Sequence, residues 1–204
     1  MKKIGGDWYP NTEEKLHRNP FVEHIAQHIM PHVPRTRCVV QAGGAVGLWP
    51  REFAKYFSEV YSFEPNPLMV ECFMQNCQDD RVVLNTHGLW KEPCWGEMVV
   101  EPPNNMGAWY FKPAEDGDVY VDTIDSYDLD HVDLIQLDIE GAEYEALLGA
   151  KDTIKRCKPM ICVEAKMTQQ FYGREVIDLY ALLHKLGYES HHSFGRDQLW
   201  RPRS

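Results

Sequence analysis

The chain has 204 residues, a formal net charge of -10 at pH 7 and an apolar fraction of 44%. This length and composition predict one packed domain, and the negative charge disfavours broad binding to the phosphate backbone of nucleic acids. No apolar run reaches about 18 residues, so we expect no membrane span. The six cysteines form no CxxC pair, which favours free thiols in a reducing cytoplasm over a disulfide framework.

The first half of the chain alternates between amphipathic helices and short apolar strands. Phe21, Ile25 and Ile29 lie on one stripe of the opening segment, which predicts a helix over residues 21–33. Short apolar runs then alternate with stretches of helical spacing. The predicted elements are a strand over 37–43, a helix over 49–59, a strand over 60–65, a helix over 67–77 and a strand over 81–89.

The middle of the chain departs from this alternation. Residues 91–118 are rich in Pro and Gly and form a predicted insertion, with short β-like pieces continuing to residue 124. The alternation then resumes as far as the end of the chain. The later predicted elements are a strand over 132–141, a helix over 142–157, a strand over 160–166, a helix over 175–188 and a terminal hairpin over 189–202.

Strands that alternate with helices of about 10–15 residues predict right-handed βαβ units and a parallel sheet. The strands are apolar along nearly their whole length, which is typical of a sheet covered on both faces. The terminal hairpin predicts a mixed sheet. In such an α/β fold, ligands bind beyond the carboxyl ends of the strands. The expected organisation is a single domain over 1–204, with an extension and helix over 1–35 and the core over 36–204.

The stretch QAGGAVG places three glycines in the turn after the first core strand. Gly43, Gly44 and Gly47 let the backbone turn sharply and approach a ligand closely. Ala45 stands where a dinucleotide-binding turn has its middle glycine, which favours a nucleoside without a pyrophosphate. Glu64 ends the next strand, where a carboxylate can accept hydrogen bonds from both hydroxyls of a ribose. The alternative is structural, with the glycines allowing tight packing and Glu64 a solvated strand end.

Three acids stand at the ends of two later strands. Asp138 and Glu140 follow the strand in VDLIQLDIEG, and Glu164 ends the strand in MICVEAK. A carboxylate in this position can accept a proton from a substrate hydroxyl or bind a divalent cation. We predict all three as catalytic residues, with Asp138 and Glu164 as the ligands if a divalent cation is used. The alternative is that loop amides satisfy them. Glu143 and Glu145 lie in a first helical turn, where the macrodipole favours anions, and are interpreted as structural.

Histidines recur at both ends of the chain. His24, His28 and His32 are spaced every four residues, which is compatible with a metal-binding stripe. Pro31 is expected to end the helix before the third of them, so a solvated flank is the favoured interpretation. The consecutive pair His191-His192 is a candidate base, or it belongs to an edge strand.

Five segments follow one another in the order found in a known protein family. They are VVQAGGAVGLW, VYSFEPNP, VDTIDSY, VDLIQLDIEGAEYEALLGA and KPMICVE, and together they extend from Cys38 to Glu164. In these segments the chain resembles the FkbM-type family of S-adenosylmethionine-dependent methyltransferases. The resemblance implies a class I methyltransferase fold, a Rossmann-like three-layer sandwich around a mostly parallel seven-stranded sheet with an antiparallel C-terminal strand. It also implies methyl transfer to oxygen, often of a sugar or polyketide hydroxyl.

The resemblance also implies which residues contact S-adenosylmethionine. The glycine turn would approach the methionine part, Glu64 would bind the ribose, and the segment 87–89 would lie near the adenine. Residues 136–138 would line the end where the methyl group is transferred. The predicted cofactor-binding residues are Gln41, Gly43, Gly44, Gly47, Glu64, His87, Gly88, Leu89, Gln136 and Leu137.

The chain departs from the family pattern at three positions. Family members usually have Asp where this chain has Gln41, often Asn where it has Ala45, and commonly Lys where it has Gln136. The amide of Gln41 keeps hydrogen bonding but lacks charge assistance, a difference of about 1 kcal/mol. The change at Gln136 leaves the site more acidic, which favours a divalent cation such as Mg2+ as a second cofactor.

The predicted function is methylation of a hydroxyl on a sugar, a glycan or another small molecule by a cytoplasmic enzyme. Trp95, Trp109, Tyr110 and Phe111 in the insertion suit stacking on a sugar face or a flat ring, or form a minor hydrophobic cluster. One alternative is a catalytically silent binding module with the same fold, favoured by the departures from the family pattern. The other is a nucleic-acid methyltransferase, which the acidic charge disfavours, so we expect no nucleic-acid or membrane partner.

Overall fold

The computed structural model describes residues 1–11, 27–100 and 109–203, so most of the helix predicted over 21–33 lies outside the described residues. The strands are β1 (Lys2–Ile4), β2 (Asp7–Tyr9), β3 (Cys38–Ala42), β4 (Glu59–Phe63), β5 (Val82–Asn85), β6 (Gly88–Leu89), β7 (Cys94–Val100), β8 (Trp109–Pro113), β9 (Val119–Asp122), β10 (Leu134–Leu137), β11 (Met160–Glu164), β12 (Tyr188–Phe194) and β13 (Asp197–Pro202). The helices are α1 (Leu48–Phe53), α2 (Pro67–Asn76), α3 (Glu143–Leu148), α4 (Lys151–Cys157) and α5 (Val176–Lys185). None of these helices combines the length and the apolar character needed to cross a bilayer.

Seven of the described strands form the main sheet, in the order β12-β13-β11-β10-β3-β4-β5. The five strands from β11 to β5 pair in parallel, and β13 runs antiparallel to both of its neighbours. The predicted mostly parallel seven-stranded sheet with an antiparallel C-terminal strand is therefore confirmed. The chain builds outward from β3 to β5 and then returns to β10, so the topological switch point lies between β3 and β10.

Apolar cores cover both faces of this sheet. On one face, residues of α3, α4 and α5 pack against alternate residues of the strands, among them Val40 and Ile135. On the other face, Phe53 of α1 packs with Val39 and Leu134. Successive residues of a strand point to opposite faces, so strands that are buried between two helical layers are predominantly apolar.

A second, four-stranded sheet has the order β6-β9-β7-β8. The segment 91–118 supplies its strands β7 and β8, which pair antiparallel from Gly96 opposite Pro113 to Val100 opposite Trp109. Side chains from this sheet and from the strand ends of the main sheet line one cavity. The smaller sheet therefore forms a cover over the carboxyl edge of the larger one.

The single helix predicted over 142–157 is wrong, because the chain breaks into α3 and α4 at Gly149. A β-carbon on Gly149 would lie 2.1 Å from the carbonyl oxygen of Trp90, so the backbones touch there. The new helix start is capped by Asp125, whose carboxylate accepts hydrogen bonds from the backbone amides of Asp152 at 3.0 Å and Thr153 at 2.8 Å. A contact with a distant segment thus overrides the local helical pattern.

An ion pair between the partly exposed Arg37 and the buried Asp133 joins the starts of β3 and β10. Arg37 donates from its backbone N and from Nε to Asp133 Oδ2 at 2.8 and 3.1 Å, and from Nη2 to Oδ1 at 2.7 Å. Burial raises the pKa of Asp133, but the hydrogen bonds from Arg37 outweigh burial and hold that pKa below its usual value. The pair therefore sets the relative position of the two strands at the switch point.

We expect Asp133→Asn to lower the free energy of unfolding at pH 7 by about 1–3 kcal/mol, because it removes charge-assisted hydrogen bonds from a buried site. A carboxyl with a lowered folded-state pKa stabilises above its unfolded pKa, and this contribution is lost as pH falls through the folded value. The difference from wild type should therefore shrink as pH drops below about 4. Urea unfolding at several pH values measures it.

The control variant is Asp79→Asn, which breaks a similar bidentate pair with Arg81 near the surface. It should change stability much less, because water screens exposed ion pairs. An equal loss in both variants, or a loss in Asp133→Asn that persists at low pH, would contradict this account of the switch point.

Candidate active site

A cavity of about 250 Å³ opens at the carboxyl ends of β3, β4 and β10, beside the switch point. Its floor includes Gly43 and Gly44, one wall includes Glu64, and another includes Asp138. The smaller sheet contributes apolar side chains, among them Trp109. The strand ends that the sequence singled out therefore surround one space.

The glycine turn is shaped by close contacts between backbones. The amides of Gly43 and Gly44 both donate to the carbonyl of Phe63, at 3.1 and 3.0 Å. Gly43 has a φ of +85°, and a β-carbon there would lie 1.9 Å from the carbonyl oxygen of Asp138. Bare backbone is thus required at 43 and is exposed to the cavity. Gly47 lies outside the cavity lining and packs against Phe73 of α2, so its role here is in packing.

Glu64 connects this turn to the end of β4. Its Oε2 accepts a hydrogen bond from the amide of Ala45 at 2.7 Å, and its Oε1 accepts one from Asn66 at 2.8 Å. Burial raises the pKa of Glu64 to about 7, while the two amides act in the opposite direction. A carboxylate has about four acceptor positions, so two remain for a ligand in the cavity. The residues present therefore fit the hydroxyls of a bound ribose.

Two of the three residues predicted to lie near the adenine line the cavity, and the third packs behind it. Gly88 and Leu89 line the cavity. His87 lies outside the lining, where its Nε2 is hydrogen-bonded to the hydroxyl of Tyr127 at 2.7 Å and its ring packs against Phe63. His87 thus supports this edge of the site from behind.

Three other predicted cofactor residues are buried below the cavity rather than in its lining. Gln41 and Gln136 are directly opposite each other in β3 and β10 and are fully buried. Gln41 Oε1 accepts a hydrogen bond from Ser62 Oγ at 2.6 Å, and both amide nitrogens lack partners among the described residues. Leu137 points to the opposite face and belongs to the apolar core. The structure therefore places Gln41 and Gln136 behind Gly43 and Asp138, two residues before each.

The three predicted catalytic acids do meet. Oxygen atoms of Asp138, Glu140 and Glu164 lie within 4.8 Å of one another, and the first two residues line the cavity. The ammonium group of Lys166 lies among them, with Nζ 2.9 Å from Glu140 Oε1 and 3.7 Å from Asp138 Oδ1. Lys166 also forms an ion pair with Glu164. One lysine thus balances three carboxylates.

Burial also shifts the pKa values of two acids in and beside this cluster. Burial raises the pKa of Glu164 to about 9, and its hydrogen bond and repulsion with Asp138 act in the same direction. Burial also raises the pKa of Asp197, the neighbour of Glu164 across β11 and β13, to about 7. Lys166 partly offsets both effects. Burial therefore favours the neutral form of Glu164 and of Asp197 more than is usual for these acids.

Sequence reasoning missed two residues that organise the cluster. Lys166 follows the strand-end acid Glu164 by two residues, and that spacing was the available signal. Glu143 is buried, and its carboxylate accepts hydrogen bonds from the amides of Ile139 at 2.9 Å and Gly141 at 3.3 Å and from Gln169 Nε2 at 2.5 Å. Glu143 therefore holds the turn that carries Asp138 and Glu140. This role is additional to the favourable interaction with the helix macrodipole that the sequence predicts.

Aromatic side chains form the outer wall. Trp109 and Phe111 of β8 line the cavity. The carbonyl of Phe111 accepts a hydrogen bond from the Tyr172 hydroxyl at 2.9 Å, which joins the smaller sheet to the segment after β11. Tyr110 stacks on Phe171 at 4.3 Å, and Trp95 is 53% exposed. Of the four predicted aromatics, Trp109 and Phe111 thus contact the cavity.

A family model described as the methyltransferase FkbM domain matches residues 42–190. Among solved structures, a methyltransferase FkbM from Methylobacillus flagellatus KT aligns with a TM-score of 0.54 and 19% identity, over 81% of this chain and 43% of that one. The precorrin 8W decarboxylase of Methanobacterium thermoautotrophicum aligns over the full length of both chains, with a TM-score of 0.59 and 14% identity. An rRNA methylase from Streptococcus thermophilus aligns with a TM-score of 0.52 and 11% identity, over 89% of this chain and 94% of that one.

At these identities the likeness to the solved structures extends to the fold. The chain spans less than half of the Methylobacillus protein, 43% of its length. No curated protein sequence matches the chain significantly. The assignment of the chain to a family therefore rests on the family model.

We expect Lys166→Met to turn the carboxylate cluster into a binding site for a divalent cation. In the wild type the ammonium occupies the centre of the three carboxylates and repels a second cation, by about 4 kcal/mol for charges 4 Å apart near a protein surface. Without it, the oxygens are hard ligands of the kind Mg2+ and Mn2+ prefer. Titration calorimetry with MnCl2 should show at least about tenfold tighter binding by Lys166→Met.

Lys166→Arg keeps the positive charge and is the matched control, so it should bind Mn2+ as weakly as the wild type. Wild-type protein that binds Mn2+ as tightly as Lys166→Met would show that the lysine does not stand in for a cation.

Proposed function

Because the chain belongs to the FkbM methyltransferase family, we propose that it transfers a methyl group from S-adenosylmethionine to a hydroxyl oxygen of a small molecule or glycan. The observation that supports this proposal most is one cavity with Glu64 on one wall and Asp138 on another. The first can hold a nucleoside and the second can accept a proton. An O-methyltransferase needs both beside the same space.

The cavity lining supports S-adenosylmethionine as the cofactor. Glu64 keeps two acceptor positions for ribose hydroxyls, and the backbone of Gly43 and Gly44 is open to the methionine part. Gly88 and Leu89 provide a small and an apolar surface for the adenine. When bound, the cofactor supplies an electrophilic methyl group on a positively charged sulfur, so the chain needs only to orient the acceptor and receive its proton.

Asp138 is the proposed base. It lines the cavity, whereas its partner Glu164 lies outside the lining. The hydrogen bond from Glu164 and the ammonium of Lys166 hold the Asp138 carboxylate in place, so a free oxygen can face an acceptor hydroxyl. General-base catalysis of this kind accelerates a reaction about 10²–10⁴-fold. Alignment of the acceptor with the methyl group accelerates it further.

Lys166, rather than a divalent cation, is proposed to supply the positive charge beside the carboxylates. Its Nζ is 2.9 Å from Glu140 Oε1 and within ion-pair distance of the other two acids. A cation bound by Asp138 and Glu164 would have to displace it. The proposal therefore gives the enzyme no requirement for Mg2+.

The outer wall favours an acceptor with a flat apolar face. Met98, Trp109 and Phe111 provide aromatic and thioether surface opposite the strand ends, which suits a sugar ring or another planar ring. The acidic cluster repels phosphates, as does the net charge of -10. This argues against RNA as the acceptor, although an rRNA methylase shares the fold. We accordingly propose a sugar, glycan or small hydroxyl compound, methylated in the cytoplasm.

We expect Asp138→Asn to lower methyl transfer by about 10²-fold or more, because the amide cannot accept the hydroxyl proton. The assay follows labelled methyl groups from S-adenosylmethionine onto a panel of sugars and phenols. Binding of S-adenosylhomocysteine, measured by calorimetry, should be unchanged, since Glu64 and the glycine turn are intact.

Asp130→Asn, at an exposed acid outside the cavity, is the control and should retain full activity. Transfer by Asp138→Asn within about threefold of wild type would remove Asp138 from the role of base. Wild-type protein that binds S-adenosylhomocysteine but transfers to no hydroxyl in the panel would favour the silent binding module.

A further inference from the structure

A bulge in β12 turns two consecutive histidines toward a third. Ser190 lies opposite Trp200 in the hairpin, and His192 lies opposite the adjacent Leu199, so His191 is an extra residue in β12. Successive strand residues normally point to opposite faces, and a bulge redirects them. Both histidines contact His32, with ring centroids 4.7 Å away for His191 and 4.9 Å away for His192.

The closest approach in this group has the dimensions of a metal site. His191 Nε2 and His32 Nδ1 are 3.1 Å apart. Two imidazoles bound to one tetrahedral zinc ion, each with a Zn–N distance of about 2.0–2.1 Å, have their nitrogens about 3.3 Å apart. The same separation also suits a hydrogen bond between the two rings, which is the alternative interpretation of this contact.

A fourth histidine supports the group from behind. His28 stacks on His192 at 5.8 Å and on Phe194 at 5.1 Å. Its ring therefore limits the positions that His192 can take. Four imidazoles thus come together from two segments that are distant along the chain.

We propose that His32, His191 and His192 form a binding site for a divalent transition-metal ion, with His28 packed behind it. Imidazole nitrogens favour Zn2+, Ni2+ and Cu2+ over Mg2+ or Ca2+. Among these ions we assign Zn2+, because three histidines with one open coordination position are a common ligand set for zinc. His32 and His191 are already at ligand spacing. The His192 ring, whose centroid is 4.9 Å from that of His32, would have to rotate to bring a nitrogen to the ion.

A bound ion would join the segment before β3 to the terminal hairpin. Ile29 and Val33, on either side of the 3-10 turn that carries His32, pack in the same apolar cluster as Phe194 of β12. None of the four histidines lines the cavity, so the ion would act on stability rather than on methyl transfer. An ion that binds the folded state alone raises the unfolding temperature.

The test is calorimetric titration of the chelator-treated protein with ZnCl2, followed by thermal unfolding with and without the ion. Wild type should bind one Zn2+ and unfold at a higher temperature with the ion present. His191→Ala, at an exposed position, should fold normally and bind at least about tenfold more weakly, with little change in unfolding temperature on adding zinc. His192→Ala is a second variant that should weaken binding in the same way.

Two controls locate the site. His131→Ala removes an exposed histidine in the turn before β10, and Asp138→Asn alters the carboxylate cluster. Both should bind zinc as wild type does. Zinc affinity unaffected by both His191→Ala and His192→Ala, or wild type that binds no zinc, would show that the imidazoles form a hydrogen-bonded cluster only.

Discussion

The close approach of two backbones, at Gly43 and Asp138, determines the shape of the site. The amide of Asp138 continues the β3–β10 ladder by donating to the carbonyl of Ala42 at 3.1 Å. Gly43, the residue after β3, then turns so close to Asp138 that a β-carbon would collide with its carbonyl oxygen. The turn that can hold a nucleoside and the carboxylate that can accept a proton are consequently two walls of one cavity.

A balance of charge makes this arrangement possible. Three carboxylates at the edge of a buried sheet would repel one another strongly, and low dielectric makes unpaired charge costly. The structure meets this cost in two ways, through the ammonium of Lys166 and through the raised pKa of Glu164, which favours its neutral form. Both leave Asp138 facing the cavity as an acceptor.

Features that depend on local pattern could be predicted from the sequence. The parallel sheet and the place of Glu64 follow from alternating apolar strands and helices, because parallel strands present their carboxyl ends at one edge. Features that depend on contacts between distant segments could not, such as the helix break at Gly149. Lys166 and Glu143 gain their roles only when the turn after β10 meets the segment after β11. Gln41 precedes Gly43 by two residues in the strand and is fully buried, so its predicted contact with the cofactor stays a prediction.

The central claim is that the nucleoside part of S-adenosylmethionine lies over the carboxyl ends of β3, β4 and β10. A crystal structure of the protein soaked with S-adenosylhomocysteine tests this directly. The account predicts ribose hydroxyls hydrogen-bonded to Glu64, adenine beside Leu89, and the sulfur directed toward Asp138. Density for the nucleoside elsewhere, with Glu64 still bonded only to the amides of Ala45 and Asn66, would contradict it.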